Sequence, residues 1–268
     1  MFLLIFGLMS ALPPQEPPNQ LALTAQFGWQ AYSAADPFGR NGIESFTASA
    51  PNGQLVVSGK TWYAKVSGRL LRGPVSGNTV DAEIQRHITL LGPIRIGIGL
   101  EGSDMGFFHS VARIGDTTLA TDQQFRIALA NVDFGLGAYN RNNVRIAFTA
   151  GYLTNIYESV LTVPSFVGNE PLVNDQCAVA GGRIRASDIR LLRDRLILNG
   201  SVEYLRIIGT RSAYTPDSEL SGTAEATTRI GGNAQHGLHI GVYGQLTRAE
   251  VSLRSSSSYG LRLIWKVR

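Results

Sequence analysis

The sequence predicts an all-β protein: an antiparallel, up-and-down transmembrane β-barrel of twelve strands, with ten as the alternative count. The first observation behind this prediction is an alternation of apolar and polar residues with period two. The segment LALTAQFGWQAYS at 21–33 places Leu23, Phe27 and Trp29 on one face. The second observation is length, because thirteen residues at about 3.3 Å each span roughly 43 Å. Soluble strands average about 5–6 residues, and strands that cross a bilayer need about 9–11.

Composition restricts the alternatives. The chain has 268 residues, of which 44% are hydrophobic and 16% charged, and no apolar run reaches the ~18 residues of a membrane helix. Its single cysteine, Cys177, excludes an internal disulfide and a cysteine metal cluster. No cofactor or metal is therefore expected.

Two segments precede the predicted barrel. Residues 2–11, FLLIFGLMSA, are similar to the apolar region of a secretory signal, and the proline-rich segment 13–19 predicts an extended linker. We therefore divide the chain into a signal-like segment with linker at 1–20 and a barrel at 21–268.

Taken in order, the alternating segments give the following strands. They are 21–33, 55–70, 79–91, 94–102, 107–118, 121–138, 143–156, 175–191, 195–208, 219–231, 237–250 and 256–267. In 121–138 the apolar phase changes between Leu129 and Val132, which predicts a bulge near Asn131. The three longest gaps, 34–54, 157–174 and 209–218, fall on one predicted end of the barrel, as expected for a barrel with short turns at the other end.

The final strand carries a family resemblance. Its sequence, SYGLRLIWKVR, places Tyr259, Leu261, Leu263 and Trp265 on one face and ends at Arg268. At the level of pattern the chain resembles bacterial outer-membrane β-barrel proteins. The resemblance implies a location in the bacterial outer membrane, the lipid bilayer as surroundings, and recognition of this strand by the outer-membrane assembly machinery.

The polar faces then line the lumen and suggest a function. They carry eleven basic and five acidic side chains, an excess larger than the net charge of +4 for the whole chain. A positive lining concentrates anions, so we predict a passive, porin-like pore for small anionic solutes. The predicted pore-lining residues are Arg95, Arg145, Arg183, Arg185, Arg229 and Arg262.

Three other functions compete with the pore. Arginine and glutamate side chains also pair inside small barrels, which would give a filled structural or anchoring barrel that interacts with the envelope or partner proteins. A membrane-embedded hydrolase needs a base beside a hydroxyl, and His87 shares a face with Thr89 and Glu83. A soluble secreted β-sandwich would turn the apolar faces inward. We do not expect an enzyme, and the dispersed basic residues do not indicate nucleic acid binding.

Other features remain open at this level. The apolar loop 157–174 either folds into the barrel mouth, with Glu158 or Glu170 facing the arginines, or packs against other outer loops. The glycines of GIGLEG at 97–102 lie within a strand, where they make room in the lumen rather than bind a nucleotide. Six aromatic residues are candidates for interfacial girdles, with ordinary packing as the alternative. They are Trp29, Trp62, Tyr152, Tyr204, Tyr259 and Trp265.

Overall fold

The computed structural model describes thirteen segments of the chain. They are 21–35, 45–59, 61–73, 75–91, 94–114, 116–138, 141–163, 166–169, 172–192, 195–212, 215–232, 236–249 and 256–267. The signal-like segment and linker predicted at 1–20 lie outside the described residues. In the segments given above, no helix is long and apolar enough to cross a membrane.

Regular structure in the described residues consists of thirteen β-strands. They are β1 (Ala22–Ala35), β2 (Ser45–Ser58), β3 (Trp62–Leu71), β4 (Val75–Leu91), β5 (Ile94–Ile114), β6 (Thr117–Ala138), β7 (Arg141–Val163), β8 (Phe166–Asn169), β9 (Val173–Leu191), β10 (Leu196–Ile208), β11 (Ser218–Gly232), β12 (His236–Ala249) and β13 (Ser256–Val267).

Twelve of these strands close into one antiparallel barrel in which neighbours follow the chain order. β1 closes the wall by pairing with β13, from Leu23 opposite Val267 to Ala34 opposite Ser256. β7 pairs directly with β9, and the short β8 pairs with the tip of β7 alone. The predicted twelve-stranded up-and-down barrel is confirmed. The ten-stranded count and the sandwich are wrong, because the described strands form a single closed sheet.

Two predicted strand assignments are wrong, and their errors cancel in the count. The predicted strand 55–70 is two strands, because the chain turns at Gly59, whose backbone N–H donates to Trp62 O at 2.9 Å. The turn-like sequence Pro51-Asn52-Gly53 instead lies inside β2, paired with β1. The predicted strands 94–102 and 107–118 are one strand, β5, whose register against β6 shifts between Met105 and Phe108. A bulge, rather than a turn, interrupts the alternation there.

The bulge predicted near Asn131 is also wrong. β6 pairs with β5 and β7 in unbroken register from Phe125 to Asp133. Phe125 and Leu129 therefore point to the same side as Asn131 and Asp133, and all four are buried. The apparent change of phase arises because apolar residues occupy the inner face of the barrel at this height.

The two ends of the barrel differ in their connections. At the end where Leu23 pairs with Val267, which we call the terminal end, the connections are 59–61, 92–93, 139–140, 192–195 and 233–235. At the opposite end, the loop end, they are 36–44, 72–74, 115–116, 164–172, 209–217 and 250–255. No connection at the terminal end is longer than four residues, whereas three at the loop end have nine residues each: 36–44, 164–172 and 209–217.

The two faces of the wall have opposite character. The outer face is apolar and exposed: Phe27 is 70% exposed, Ile98 64% and Phe148 64%. The inner face is polar and buried, including Gln30 and Asp133. An alternating strand yields this division whenever its two faces meet different surroundings. The apolar stripes thus face away from the molecule, as predicted for contact with lipid.

Candidate functional site

The lumen near the terminal end is filled by a buried polar network that β4, β6 and β7 hold. His87 Nε2 lies 2.8 Å from Asp133 Oδ1, and Arg145 Nη1 donates to Asp133 Oδ2 at 3.3 Å. The side chain of Gln85 bridges the network, since it donates to Asp133 and accepts from Arg145. We call these four residues the His87 network.

A glycine makes the His87 network possible. Gly97 of β5 lies opposite both His87 and Asp133, and a Cβ atom at this position would overlap the two side chains. Gly99 has the same relation to Gln85 and Asn131. The prediction that the glycines of 97–102 make room in the lumen therefore agrees with the geometry.

A second set of ion pairs crosses the lumen at mid-height. Arg183 of β9 donates from Nη1 to Glu101 Oε2 of β5 at 2.7 Å, and from Nε to Glu203 Oε1 of β10 at 3.1 Å. Arg185 Nη1 donates to Glu83 Oε1 of β4 at 2.7 Å, and Lys65 Nζ lies 3.0 Å from Glu83 Oε2. We call these six residues the cross-lumen bridge, because they link β3, β4 and β5 with β9 and β10.

A third group of ion pairs starts from β13. Arg262 Nη1 donates to Glu225 Oε2 of β11 at 2.8 Å, and its guanidinium carbon lies 3.6 Å from the ring centroid of Tyr243. Lys266 Nζ donates at 3.3 Å to Asp188 Oδ1 of β9, which is four strands away around the barrel, as Glu83 is from Arg185. Both cations therefore have carboxylate partners on other strands.

An apolar cluster fills the lumen toward the loop end, on the side of β6, β7, β9 and β10. Each of its side chains is at most 7% exposed, so they pack against one another as a small internal core. The cluster consists of Phe125, Leu129, Leu153, Cys177, Val179, Leu205 and Ile207.

The loop 209–217 folds over this cluster and is anchored to Asp175. The Asp175 carboxylate accepts hydrogen bonds from Ser212 Oγ at 2.5 Å, Ser212 N at 3.0 Å and Thr215 Oγ1 at 2.6 Å. Thr215 Oγ1 also accepts from Asn155 Nδ2 at 2.9 Å, and Pro216 is fully buried. This loop therefore narrows the lumen on the β7–β9–β10 side.

The rest of the lumen is open. A cavity of about 630 Å³ is lined by residues of all twelve barrel strands, including residues of the cross-lumen bridge and the apolar-cluster residues Phe125, Leu153 and Leu205. Its lining reaches from Ala22 and Ser58 at the terminal end to Ser256 and Thr247 at the loop end. The cavity therefore extends along the lumen from one end of the barrel to the other.

The six predicted pore-lining arginines divide into three groups. Arg145, Arg183, Arg185 and Arg262 line the cavity, and each has a carboxylate within 3.3 Å. Arg95 faces inward opposite Gly135 and is half-buried outside the cavity lining. Arg229 shares the face of the buried Thr227 but is exposed near the terminal end.

The lining is less positive than the sequence predicts. Seven basic side chains (Lys65, Arg69, Arg145, Arg183, Arg185, Arg262 and Lys266) and six acidic ones (Asp81, Glu101, Asp188, Glu203, Glu219 and Glu225) line the cavity. Arg126 is one of the eleven basic residues that the alternation places inward. In the structure it faces outward and pairs with Asp104 at 3.1 Å. The sequence analysis missed Asp81, Asp188 and Glu219. Asp81 shares the phase of Glu83, so the alternation alone was sufficient to find it.

Arg69 is the cavity-lining cation with a different partner. Its guanidinium carbon lies 5.3 Å from the ring centroid of Tyr32, and within the described part of the chain it has no carboxylate partner. A guanidinium over an aromatic ring keeps its charge available to a passing anion. Arg69 is therefore the lining residue best placed to bias the cavity toward anions.

Two predicted features lie elsewhere than expected. The loop 157–174 extends the β7–β8 hairpin beyond the wall, with Phe166 and Val167 more than 60% exposed, and Glu158 is exposed opposite Asp122. At the base of this segment Tyr157 is buried and lines the cavity, so constriction of the barrel mouth by the segment stays a prediction. His87 is almost fully buried with Asp133, at 2% and 1% exposure, so the proposed catalytic base is out of reach of a substrate.

The six candidate girdle aromatics all face outward, and each is at least 38% exposed.

No protein-family model and no curated protein matches the sequence. Among solved structures, the translocator domain of the autotransporter NalP from Neisseria meningitidis matches with a TM-score of 0.52 and 10% identity, over 99% of this chain and 92% of that one. The protein has the fold of a bacterial outer-membrane β-barrel.

Two further outer-membrane structures are similar at lower scores. The Pseudomonas putida toluene transporter TodX matches at TM-score 0.44 and 5% identity, over 93% of this chain and 89% of that one. The β domain of the Bordetella autotransporter BrkA matches at TM-score 0.41 and 12% identity, over 90% of this chain and 98% of that one. At these identities the likeness concerns the fold alone.

Proposed function

We propose that this outer-membrane barrel is a passive pore for small hydrophilic solutes, with a weak preference for anions. The observation that carries this proposal is the cavity, which extends through the lumen from one strand end to the other. Its wall carries uncharged polar groups such as Thr24, Gln54 and Thr223, which replace part of a solute's hydration shell. No chemical step and no cofactor is part of this proposal.

The cavity volume limits the size of the solute. Spread over the roughly 25 Å height of a barrel's apolar band, the 630 Å³ open to the centre of a water molecule gives a mean cross-section of about 25 Å² and a radius of about 3 Å for that centre. Adding the ~1.4 Å radius of water gives a passage of about 4 Å radius. A passage of this radius admits water, small inorganic ions and solutes of a few heavy atoms. We therefore expect a small conductance and exclusion of disaccharides.

The proposed anion preference depends on a small charge difference. Seven basic and six acidic side chains line the cavity, and Arg69 alone among the basic ones keeps an aromatic rather than a carboxylate partner in the described part of the chain. Fixed charges inside low-dielectric walls attract counter-ions, so even one uncompensated guanidinium biases permeation. Phosphate, sulfate and small carboxylates suit its planar donor fork.

Planar bilayers test the pore. The full chain is inserted, and its reversal potential is measured under a tenfold KCl gradient. We expect discrete small channels with a reversal potential of anionic sign, and Arg69→Gln moves this potential toward zero. Arg206→Gln, an exposed residue on the outer face of β10, leaves it unchanged. Cation preference in the unmodified protein contradicts the anion preference. An Arg69→Gln channel that keeps the anionic potential contradicts the role of Arg69 in that preference.

A filled structural barrel is the second candidate, because the cross-lumen bridge and the apolar cluster occupy part of the lumen. A filled barrel would insert into bilayers and show heat-modifiable mobility, but it would not conduct ions.

In both functions β13 presents outward Leu261, Leu263 and Trp265 for the assembly machinery. Slower assembly of a Trp265→Ser variant by that machinery, without loss of stability once folded, would support this partner.

A further inference from the structure

One charged residue interrupts the apolar outer face of β4. Arg86 is exposed and points outward, between Ile84 at 57% exposure and Ile88 at 61%. Its neighbour on β5 is Ile98, 64% exposed, and its neighbour on β3 is Trp62. Within the described part of the chain, Arg86 has no hydrogen bond or ion pair.

The other outward charged side chains of the described parts of β4 to β7 lie elsewhere. They are Asp104, Asp122, Arg126 and Glu158, which come after the apolar stripes toward the loop end. In β4 the apolar stripe continues past Arg86 toward the terminal end, through Ile88 and Leu90. Arg86 therefore lies in the terminal part of the lipid-facing band, from which its long side chain extends toward the headgroup level.

The wall beside Arg86 forms a notch. Trp62 pairs with Arg86, and this is the last pair between β3 and β4 at the terminal end. β4 continues beyond this pair to Leu91. The His87 backbone N–H donates to Thr61 O at 2.6 Å, which fixes the β2–β3 turn beside this point. A guanidinium and an indole thus flank an opening at the rim of the wall on the terminal side.

The energetics define what occupies this opening. An arginine on the lipid face of a barrel costs about 2–4 kcal/mol at the bilayer midplane and about 0–1 kcal/mol near the interface. Tryptophan is enriched at the same interface, at the level of the lipid headgroups. An anion with two oxygens in one plane matches the arginine donors, and lipid phosphates are the anions at this depth.

We propose that Arg86 and Trp62 bind the phosphate of a glycerophospholipid in the periplasmic leaflet. The short turns at the terminal end assign this leaflet. Arg86 donates two N–H groups to the phosphate oxygens, the Trp62 indole lies beside the glycerol region, and Ile84, on the side of the bilayer centre, contacts the acyl chain. The lumen takes no part, so the site is independent of the proposed pore.

Native mass spectrometry of the full chain in detergent tests this site. Phosphatidylglycerol is titrated into the protein, with a diacylglycerol of the same acyl chains as the phosphate-free comparison. We expect roughly tenfold weaker phosphatidylglycerol binding by Arg86→Gln, whereas Arg126→Gln, a matched outward arginine paired with Asp104, binds as the unmodified protein does. Arg86→Lys keeps the charge and binds with intermediate affinity, since it loses the two-donor geometry.

Several results would overturn the proposal. Equal binding of phosphatidylglycerol and diacylglycerol removes the phosphate contact, and unchanged binding by Arg86→Gln removes the residue. Displacement of the lipid by millimolar inorganic phosphate indicates a free-phosphate site. A change of oligomeric state in Arg86→Gln indicates a carboxylate on a protein partner. Heat-modified mobility establishes that each variant folds, and an unchanged bilayer conductance of Arg86→Gln separates this site from the pore.

Discussion

The cross-lumen bridge gives the prediction with the largest expected effect. Arg183 contacts Glu101 and Glu203, and the three side chains are 10%, 13% and 17% exposed. Two opposite charges about 4 Å apart attract by about 4 kcal/mol at an effective dielectric constant of 20. Much of this is offset by desolvation, and loss of one partner from a buried pair costs about 3–5 kcal/mol, because the remaining charge stays buried.

We therefore expect Arg183→Gln to lower the free energy of unfolding by about 3–5 kcal/mol. Urea unfolding in phospholipid vesicles, followed by tryptophan fluorescence, measures this change. Adding Glu101→Gln and Glu203→Gln to Arg183→Gln restores most of the loss, because no unpaired carboxylate remains. Arg206→Gln, on the outer face of β10, stays within about 0.5 kcal/mol. A loss below about 1 kcal/mol for Arg183→Gln would refute the reasoning that the bridge stabilises the barrel.

Three further substitutions test other parts of the structure. The Cβ atom of Gly97→Ala overlaps the His87 network, so this variant should lower the free energy of unfolding by about 1–3 kcal/mol in the same urea assay. A Cβ atom at Gly102 lies 3.7 Å from its nearest atom, so Gly102→Ala should be nearly neutral. Equal effects of the two variants would contradict the network geometry. Asp175→Ala removes the acceptor that holds loop 209–217, so trypsin should cleave after Arg211 faster than in the unmodified protein, and an unchanged rate contradicts the anchor. Phe148→Arg places a charge on the lipid face and should cost about 2–4 kcal/mol in vesicles, while a change under 0.5 kcal/mol contradicts lipid contact.

The wall of the barrel was predictable because its alternation is a local property of the chain. Phe27, Ile98 and Phe148 lie at alternate positions whose neighbours are small or polar, and the structure exposes all three. Strand ends were less predictable. Pro51-Asn52-Gly53 has the composition of a turn, but its pairing with β1 keeps it in a strand. Long-range pairing overrides local preference there.

The contents of the lumen could not be predicted from alternation. The pattern gives the side on which Arg183 lies, but not that Glu101, 82 residues away, meets it across the lumen. It also treats apolar residues as lipid-facing, so Phe125 and Leu129 were assigned to the wrong side. The charge of the lining depends on such partners, which is why the predicted positive excess is larger than the observed one.

The central claim is that solutes pass through the cavity in the lumen. Cysteine block in planar bilayers tests it most directly, in a Cys177→Ser background that removes the native thiol. Position 223 lines the cavity and is exposed, whereas position 131 is buried outside the cavity lining. We predict that a charged, membrane-impermeant thiol reagent reduces the conductance of Thr223→Cys by at least about half, because the adduct occupies a passage of about 4 Å radius, and leaves Asn131→Cys unchanged. Complete modification of Thr223→Cys with no change in conductance would contradict the claim.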